Sequence, residues 1–527
     1  MRDESDSPAP PTMAGRATAV SILFGSSGSG VGGERREPPD CFRDLNLDQI
    51  VAAATAGREE YDLAPIFHTP LPGVEAIHFR QEIFRDFGTA AVFDCVASFS
   101  ARMRVVRASL DQALKLRYEL QQERWHLDAV GEYCDAVSAL THRLVAADLC
   151  SRGLAELRAY LHDYTRSAGF ASLAAETEKL QADLAGIAYA VRIAGKRIEV
   201  RRYAGEADYA AEVLDTFAKF RQAAVEEPHF TFHSYPELNH IEAEILERVA
   251  RLYPDIFSAL AGYRERHRDF LDPAVLDFDR GAQFYLGWLE HLKPLERAGL
   301  AFCQPEVSET SKGVHGREAF DLALAKMRVS EDAPVVLNDF ELRGPERIMV
   351  VSGANQGGKS TFARMVGQIH YLAGLGCPVP GREARLPRLD SVLTHFEREE
   401  RVETLSGKLE ESLERMRRML ERASSRSLLI MNESFESTTV SDALLLTRRV
   451  LEEVAQRDIL CVCVTFLDEL AALSEKTVSY VATVRPEDPA RRTFKVVRKP
   501  AEGLAYAMAI AEKYGLTRER VKERIGA

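Results

Sequence analysis

The sequence predicts a multidomain chain in which an α-helical domain precedes an α/β domain built to hold a nucleotide. Three observations carry this. From Asp48 to about residue 300, apolar residues recur mostly at helical spacing. From Ile348 onward, short apolar runs of strand type alternate with helical stretches, the pattern of a mostly parallel sheet. At the start of that second region, Gly353-Ala354-Asn355-Gln356-Gly357-Gly358-Lys359-Ser360-Thr361 fits G-x-x-x-x-G-K-[ST], the loop that wraps nucleotide phosphates.

Bulk properties narrow the classes. A chain of 527 residues has room for two to four domains. Its 46% hydrophobic and 28% charged residues are those of an ordinary globular protein. No apolar run reaches the length of a membrane span, and the start lacks the basic and apolar regions of a signal peptide. Eight cysteines without a C-x-x-C pair suit a reducing compartment, so a cytoplasmic protein is expected. Cys461 and Cys463 share one face of a strand pattern and read as small buried hydrophobes. A formal net charge of −12 excludes a protein that binds nucleic acid over its whole surface. DNA contact would have to come from local basic clusters.

The elements follow in order. Residues 1–42 are rich in Ser, Gly and Pro and read as a disordered tail. Residues 43–300 form the helical domain, with amphipathic helices predicted over Val105–Trp125, Val130–Leu149, Ala207–Ala224 and Leu238–Leu260. Within it, residues 187–202 alternate and turn at Ala194-Gly195, which predicts a β-hairpin with a basic tip. Phe284-Tyr285 sits in a helical apolar pattern and reads as core. Residues 301–345 connect to the sheet, and Val335-Val336-Leu337 begins a strand. In residues 346–527, strands are predicted at Ile348–Val351, Ser391–Phe396, Ser427–Met431, Ile459–Thr465, Val478–Val484 and Thr493–Val497. Helices are predicted over Ser360–Leu375 and the charged Leu409–Arg422.

The chemistry follows from the residue types. The loop glycines turn backbone N–H groups onto phosphate oxygens, Lys359 brings a point charge, and the Ser360 hydroxyl faces Mg²⁺. Leu428-Leu429-Ile430-Met431 ends in Asn432-Glu433, at the place of a Walker B element. Such a strand normally ends Asp-Glu, the first holding the metal and its water shell and the second orienting the attacking water. Asn432 keeps an acceptor for a metal-bound water and contributes no charge. Glu433 is the candidate general base; its structural alternative is a cap on the following loop. Ser406-Gly407 opens a charged helix about 25 residues upstream, the layout of ABC-type ATPases. There the turn of one subunit covers the γ-phosphate bound by the other.

These motifs stand in the order found in the MutS family, which the chain resembles over about residues 60–527. The resemblance rests on Gly353–Thr361, Ser406-Gly407, Asn432-Glu433-Ser434-Phe435-Glu436-Ser437-Thr438-Thr439 and Val464-Thr465-Phe466-Leu467. Thr69–Glu82 is similar to the opening of the family's helical core, and Glu502–Ala511 with Gly515-Leu516 is similar to its dimer-forming end. The resemblance implies a helical core/lever domain and a P-loop ATPase (ABC-type) domain over 346–527 ending in dimerisation helices. It implies ATP and Mg²⁺ as cofactors, a homodimer with composite ATP sites, and duplex, branched or mismatched DNA as partner in mismatch repair. Asn338 of Asn338-Asp339-Phe340 is implied near the adenine. The departures are as informative. The reading expects no counterpart of the family's mismatch-reading domain, no connector domain, no Smr nuclease domain, and a clamp reduced at most to the 187–202 hairpin. Leu409 stands where the family has the signature serine, and Phe466 where it usually has histidine. A second reading keeps the ATPase dimer but has the arms grip a ribosome or another protein. A third, an ABC-type chromosome-organising ATPase, needs long heptad arms that no helix here sustains.

Overall fold

The apolar runs of the second region become the strands of one sheet. The computed structural model describes residues 21–24, 34–195, 197–205, 237–396, 407–435, 438–485 and 488–501. Along the chain the strands are β1 Tyr189–Ala194, β2 Arg197–Arg202, β3 Phe302–Cys303, β4 Glu306–Ser308, β5 Val314–Ala319, β6 Asn338–Leu342 and β7 Ile348–Gly353. They continue with β8 Val379–Pro380, β9 Glu383–Pro387, β10 Ser391–Phe396, β11 Ser427–Asn432, β12 Leu460–Val464, β13 Thr477–Arg485 and β14 Asp488–Arg498. Six of them pair in the order β10-β11-β12-β7-β13-β14. All neighbours run parallel except the antiparallel β13–β14 edge pair. β12 is buried throughout, and β7 and β11 are buried except at their last residues, Gly353 and Asn432. That is the pattern of central strands covered on both faces, with the parallel C-terminal ends left to carry a site.

A four-stranded sheet, β4-β9-β5-β6, and the β3–β8 pair lie outside the sequence expectation. Their strands are short, and the β5–β6 register shifts between Gly316 and Ala319, so no long alternating run marks them in the sequence. β6 begins at Asn338, after Val335–Leu337, which correct the expected strand start. The Val105–Trp125 stretch is divided by a break between helices Ala90–Lys115 and Glu119–Ala146. Leu238–Leu260 is likewise two helices, His240–Leu252 and Pro254–Arg266, because Pro254 suits a first helical turn and not an interior. Ala207–Ala224 and the C-terminal segment 502–527 lie outside the described residues.

The chain separates into two units, Met1–Phe93 with Leu149–Ala155 and Arg280–Ala527, and Asp94–Asp148 with Glu156–Asp279. The boundary expected at residue 300 is therefore displaced, and the first helices belong with the sheet. Cys41–Asp44 packs on β10, where Asp44 Oδ2 accepts from Thr394 Oγ1 at 2.6 Å and pairs with Arg415 at 3.0 Å. Leu45 O accepts from the fully buried Gln368 on the helix that follows the phosphate loop. Within the expected disordered tail 1–42, the described residues 21–24 and 34–42 include anchored ones. Ile22 and Leu23 are buried; Ile22 O accepts from Tyr285 Oη and Leu23 O from Arg80, while Glu34 pairs with Arg280 at 2.7 Å. Ser/Gly/Pro composition concealed these anchors because two apolar residues form no period. Phe284 and Tyr285 are fully buried, as expected.

In the second unit, Tyr133 Oη lies 3.0 Å from Tyr164 Oη and accepts from Asp272 N. Thr177 and Tyr263 share a hydroxyl hydrogen bond between helices Ala168–Ala185 and Pro254–Arg266. The hairpin pairs Ala194 with Arg197, with Gly195 at φ 61° in the turn. Its root is fixed by Arg202, which donates to Leu252 O.

Candidate nucleotide site

The loop after β7 is shaped by backbone before any side chain acts. Gly353 (φ 111°), Gln356 (φ 57°) and Gly358 (φ 94°) adopt left-handed conformations. A Cβ on Gly353 would stand 2.7 Å from Ala482 O, so glycine is required there by both conformation and space. Gly357 N donates to Ala354 O, and Gly358 caps the helix Lys359–Gly374, whose first N–H groups have no intrahelical acceptor. Gly353–Thr361 is thus a contiguous cradle at the C-terminal end of β7, with Asn355 and Gln356 exposed at its tip.

Lys359 is 4% exposed and points back into this cradle, its Nζ donating to Gly353 O and Ala354 O at 3.2 and 3.3 Å. The ammonium also lies 4.0 Å from Glu433 Oε1 and 4.1 Å from the centre of the Phe466 ring. Parallel pairing explains the convergence. β12 lies between β7 and β11, so the residues just past all three strands meet at one edge. Glu433 is held there in a left-handed conformation (φ 54°), its N–H donating to Val464 O at 3.0 Å. Thr465 N donates to Val351 O and its hydroxyl accepts from Leu467 N, which turns Phe466 toward Lys359.

The donor set fits a divalent cation. Asn432 Oδ1 is buried with no hydrogen-bond partner among the described residues. Such an acceptor is costly unless a donor reaches it, and a metal-bound water would satisfy it. Ser360 follows Lys359 in the first turn of the next helix, and it and Asn432 are the residues that would hold Mg²⁺. Among the described residues, no group of three or more His, Cys, Asp or Glu could hold a metal. Cys461 and Cys463 are buried, and burial pushes the Cys463 thiol up to about 12.

Other expected residues fall differently. Asn338 is buried and its amide braces β14, Oδ1 accepting from Val496 N at 2.8 Å and Nδ2 reaching Phe494 O at 3.5 Å. Its link to the cradle runs through Phe494, whose backbone lies 3.5 Å from a Cβ built on Gly358. Gly407 is the exposed N-cap of helix Lys408–Arg422, while Ser406 lies outside the described residues. Leu409 packs against the core that holds Leu429 and Met431, which accounts for a leucine at this position. Two residues beside the loop and one beside Ser434 have no sequence signal. Arg492 Nε donates to Asn355 O at 2.9 Å, Phe494 adopts φ 58° beside Gly358, and buried His395 faces Ser434. They come from strands far from the loop in sequence and carry no motif.

A glycine-rich cradle, a buried lysine and a carboxylate at the facing strand end define a P-loop nucleotide-binding domain. Residues 349–524 match the family model MutS domain V, an ATPase domain. Residues 349–524 thus carry a domain of MutS type, and the chain has distant similarity to MutS and MutS2 over about half its length. It is 27% identical over 302 residues to the DNA mismatch repair protein MutS of Chlorobium phaeovibrioides, covering 55% of this chain and 33% of that one. Against the same-named protein of Halalkalibacterium halodurans the figures are 27% over 300 residues, 53% and 32%. Against Endonuclease MutS2 of Thermus thermophilus they are 29% over 207 residues, 39% and 27%. The matched part thus spans about a third or less of these relatives. No helix among the described residues is long and apolar enough to cross a membrane.

Proposed function

We propose that this chain is an ATP-hydrolysing switch that closes as a homodimer and acts on DNA. The observation that carries the reading is the approach of Glu433 to Lys359 across the phosphate cradle, 4.0 Å apart in a domain of MutS type. Backbone N–H groups of 353–361 and Lys359 hold the phosphates, and Glu433 orients the attacking water and takes its proton. Ser360 and Asn432 would hold Mg²⁺, which would supply positive charge beside the phosphate oxygens. Gly407 lies at an exposed helix N-terminus, suited to cover the γ-phosphate of a second copy. Mismatched, branched or plain duplex DNA is the proposed partner, on the strength of names carried by relatives. Arg192, Arg197 and Arg201 on the exposed hairpin supply local positive charge.

The second reading, arms that grip a protein or ribosome, is favoured by the net charge of −12. ATP hydrolysis measured with and without duplex, mismatched and junction DNA separates the two. Stimulation by DNA that falls steeply with salt supports the first. Absence of binding to every DNA at low salt with ATP present removes it.

A further inference from the structure

His395 stands at the C-terminal end of β10, opposite Met431 in register with β11, and is 3% exposed. Its ring has contacts on both sides. Nδ1 lies 2.9 Å from Ser434 Oγ, in the residue after Glu433. Nε2 lies 3.2 Å from both the carbonyl oxygen and the hydroxyl of Ser412, on the helix that Gly407 begins. A carbonyl only accepts, so Nε2 carries the ring proton and donates to Ser412 O. Nδ1 is then left to accept from the Ser434 hydroxyl. Burial, and then the Arg415 guanidinium, push the imidazole down to about 4. The ring is therefore neutral, with one donor and one acceptor, throughout the neutral range.

The turn it touches is conformationally expensive. Glu433 (φ 54°) and Phe435 (φ 67°) are both left-handed non-glycine residues, a backbone region that side chains disfavour. Such a turn persists only where its surroundings over-determine it. Glu433 N on Val464 O is one pin, the Phe435 ring against the imidazole (5.8 Å between centres) is a second, and Ser434 on His395 is a third.

We propose that His395 is a positioning residue for hydrolysis, holding the Glu433 turn through Ser434 and tying it to the Gly407 helix through Ser412. The inference rests on Glu433 being the general base. A change at the N-terminus of that helix then reaches Glu433 through one rigid ring.

The test separates the two ends of the ring. In His395→Asn the side-chain oxygen takes the place of Nδ1 and keeps the Ser434 bond. In His395→Gln the amide takes the place of Nε2 and keeps only the Ser412 bond. The expected result is a kcat about 10-fold lower in His395→Gln and in Ser434→Ala, with ATP affinity within about 3-fold of wild type. His395→Asn should recover most of the turnover, and His395→Gln with Ser434→Ala should lose no more than either alone. Equal losses in His395→Asn and His395→Gln that follow Tm, or a Ser434→Ala variant with wild-type kcat, overturn the proposal. If wild type binds ATP without hydrolysing it, or Glu433→Gln turns over normally, the reading of Glu433 fails and takes the proposal with it. Wild-type turnover with normal His395 variants refutes His395 alone.

Discussion

The phosphate loop and the strand end that faces it are two halves of one site, built on different principles. The loop works through backbone. Gly353, Gln356 and Gly358 set its path, and the groups it presents are mostly N–H donors that any residue would carry. The facing corner works through side chains. Asn432, Glu433 and Phe466 each bring one chemical group, and changing one atom changes what that corner does. Backbone recognition leaves little room for variation, whereas side-chain chemistry can be altered one residue at a time. Two of the departures from the family pattern, Asn432 and Phe466, fall on the side-chain half.

Substitutions can test that division, beginning with the largest effect. Glu433→Gln should lower steady-state ATP turnover by about 10³-fold while leaving binding unchanged, as loss of a general base does. Unchanged turnover would place the base elsewhere. Lys359→Ala should weaken ATP binding about 100-fold by calorimetry, the size of a lost charged contact in a buried cradle. Full affinity in that variant would mean the backbone alone holds the phosphates. Asn432→Asp should strengthen Mg²⁺-dependent nucleotide binding about 10-fold, read by titrating Mg²⁺ at fixed nucleotide, because a charge replaces a neutral acceptor beside the cation. The smallest effect is expected from Phe466→Leu, which removes a cation–π contact worth about 1 kcal/mol. ATP affinity should fall about 5-fold, and an unchanged value would show that the two loop carbonyls suffice to place Lys359.

Much of this was legible because it is local. β10 and the helix after the loop were placed to within a residue, since their apolar periods are uninterrupted. Asn432-Glu433 was found because a buried strand ending in polar residues is itself a signal. The small β4-β9-β5-β6 sheet left no such trace, because its strands are short and bulged. Asn338 shows the limit from the other side. The resemblance implies a place near the adenine for this residue, and its amide is bonded to β14, 156 residues away. Spacing alone carries no information about that pairing.

The loop, its nucleotide-binding motif and the α/β class are legible in the residues alone, because glycine conformation, lysine charge and strand periodicity act within a few residues. Long-range packing alone places Asp44 on β10, ties Ile22 and Leu23 to Tyr285 and Arg80, and sets His395 between Ser412 and Ser434. Those contacts join segments hundreds or tens of residues apart. Their pairing is selected by packing and by the need to satisfy buried polar groups, which no local pattern records.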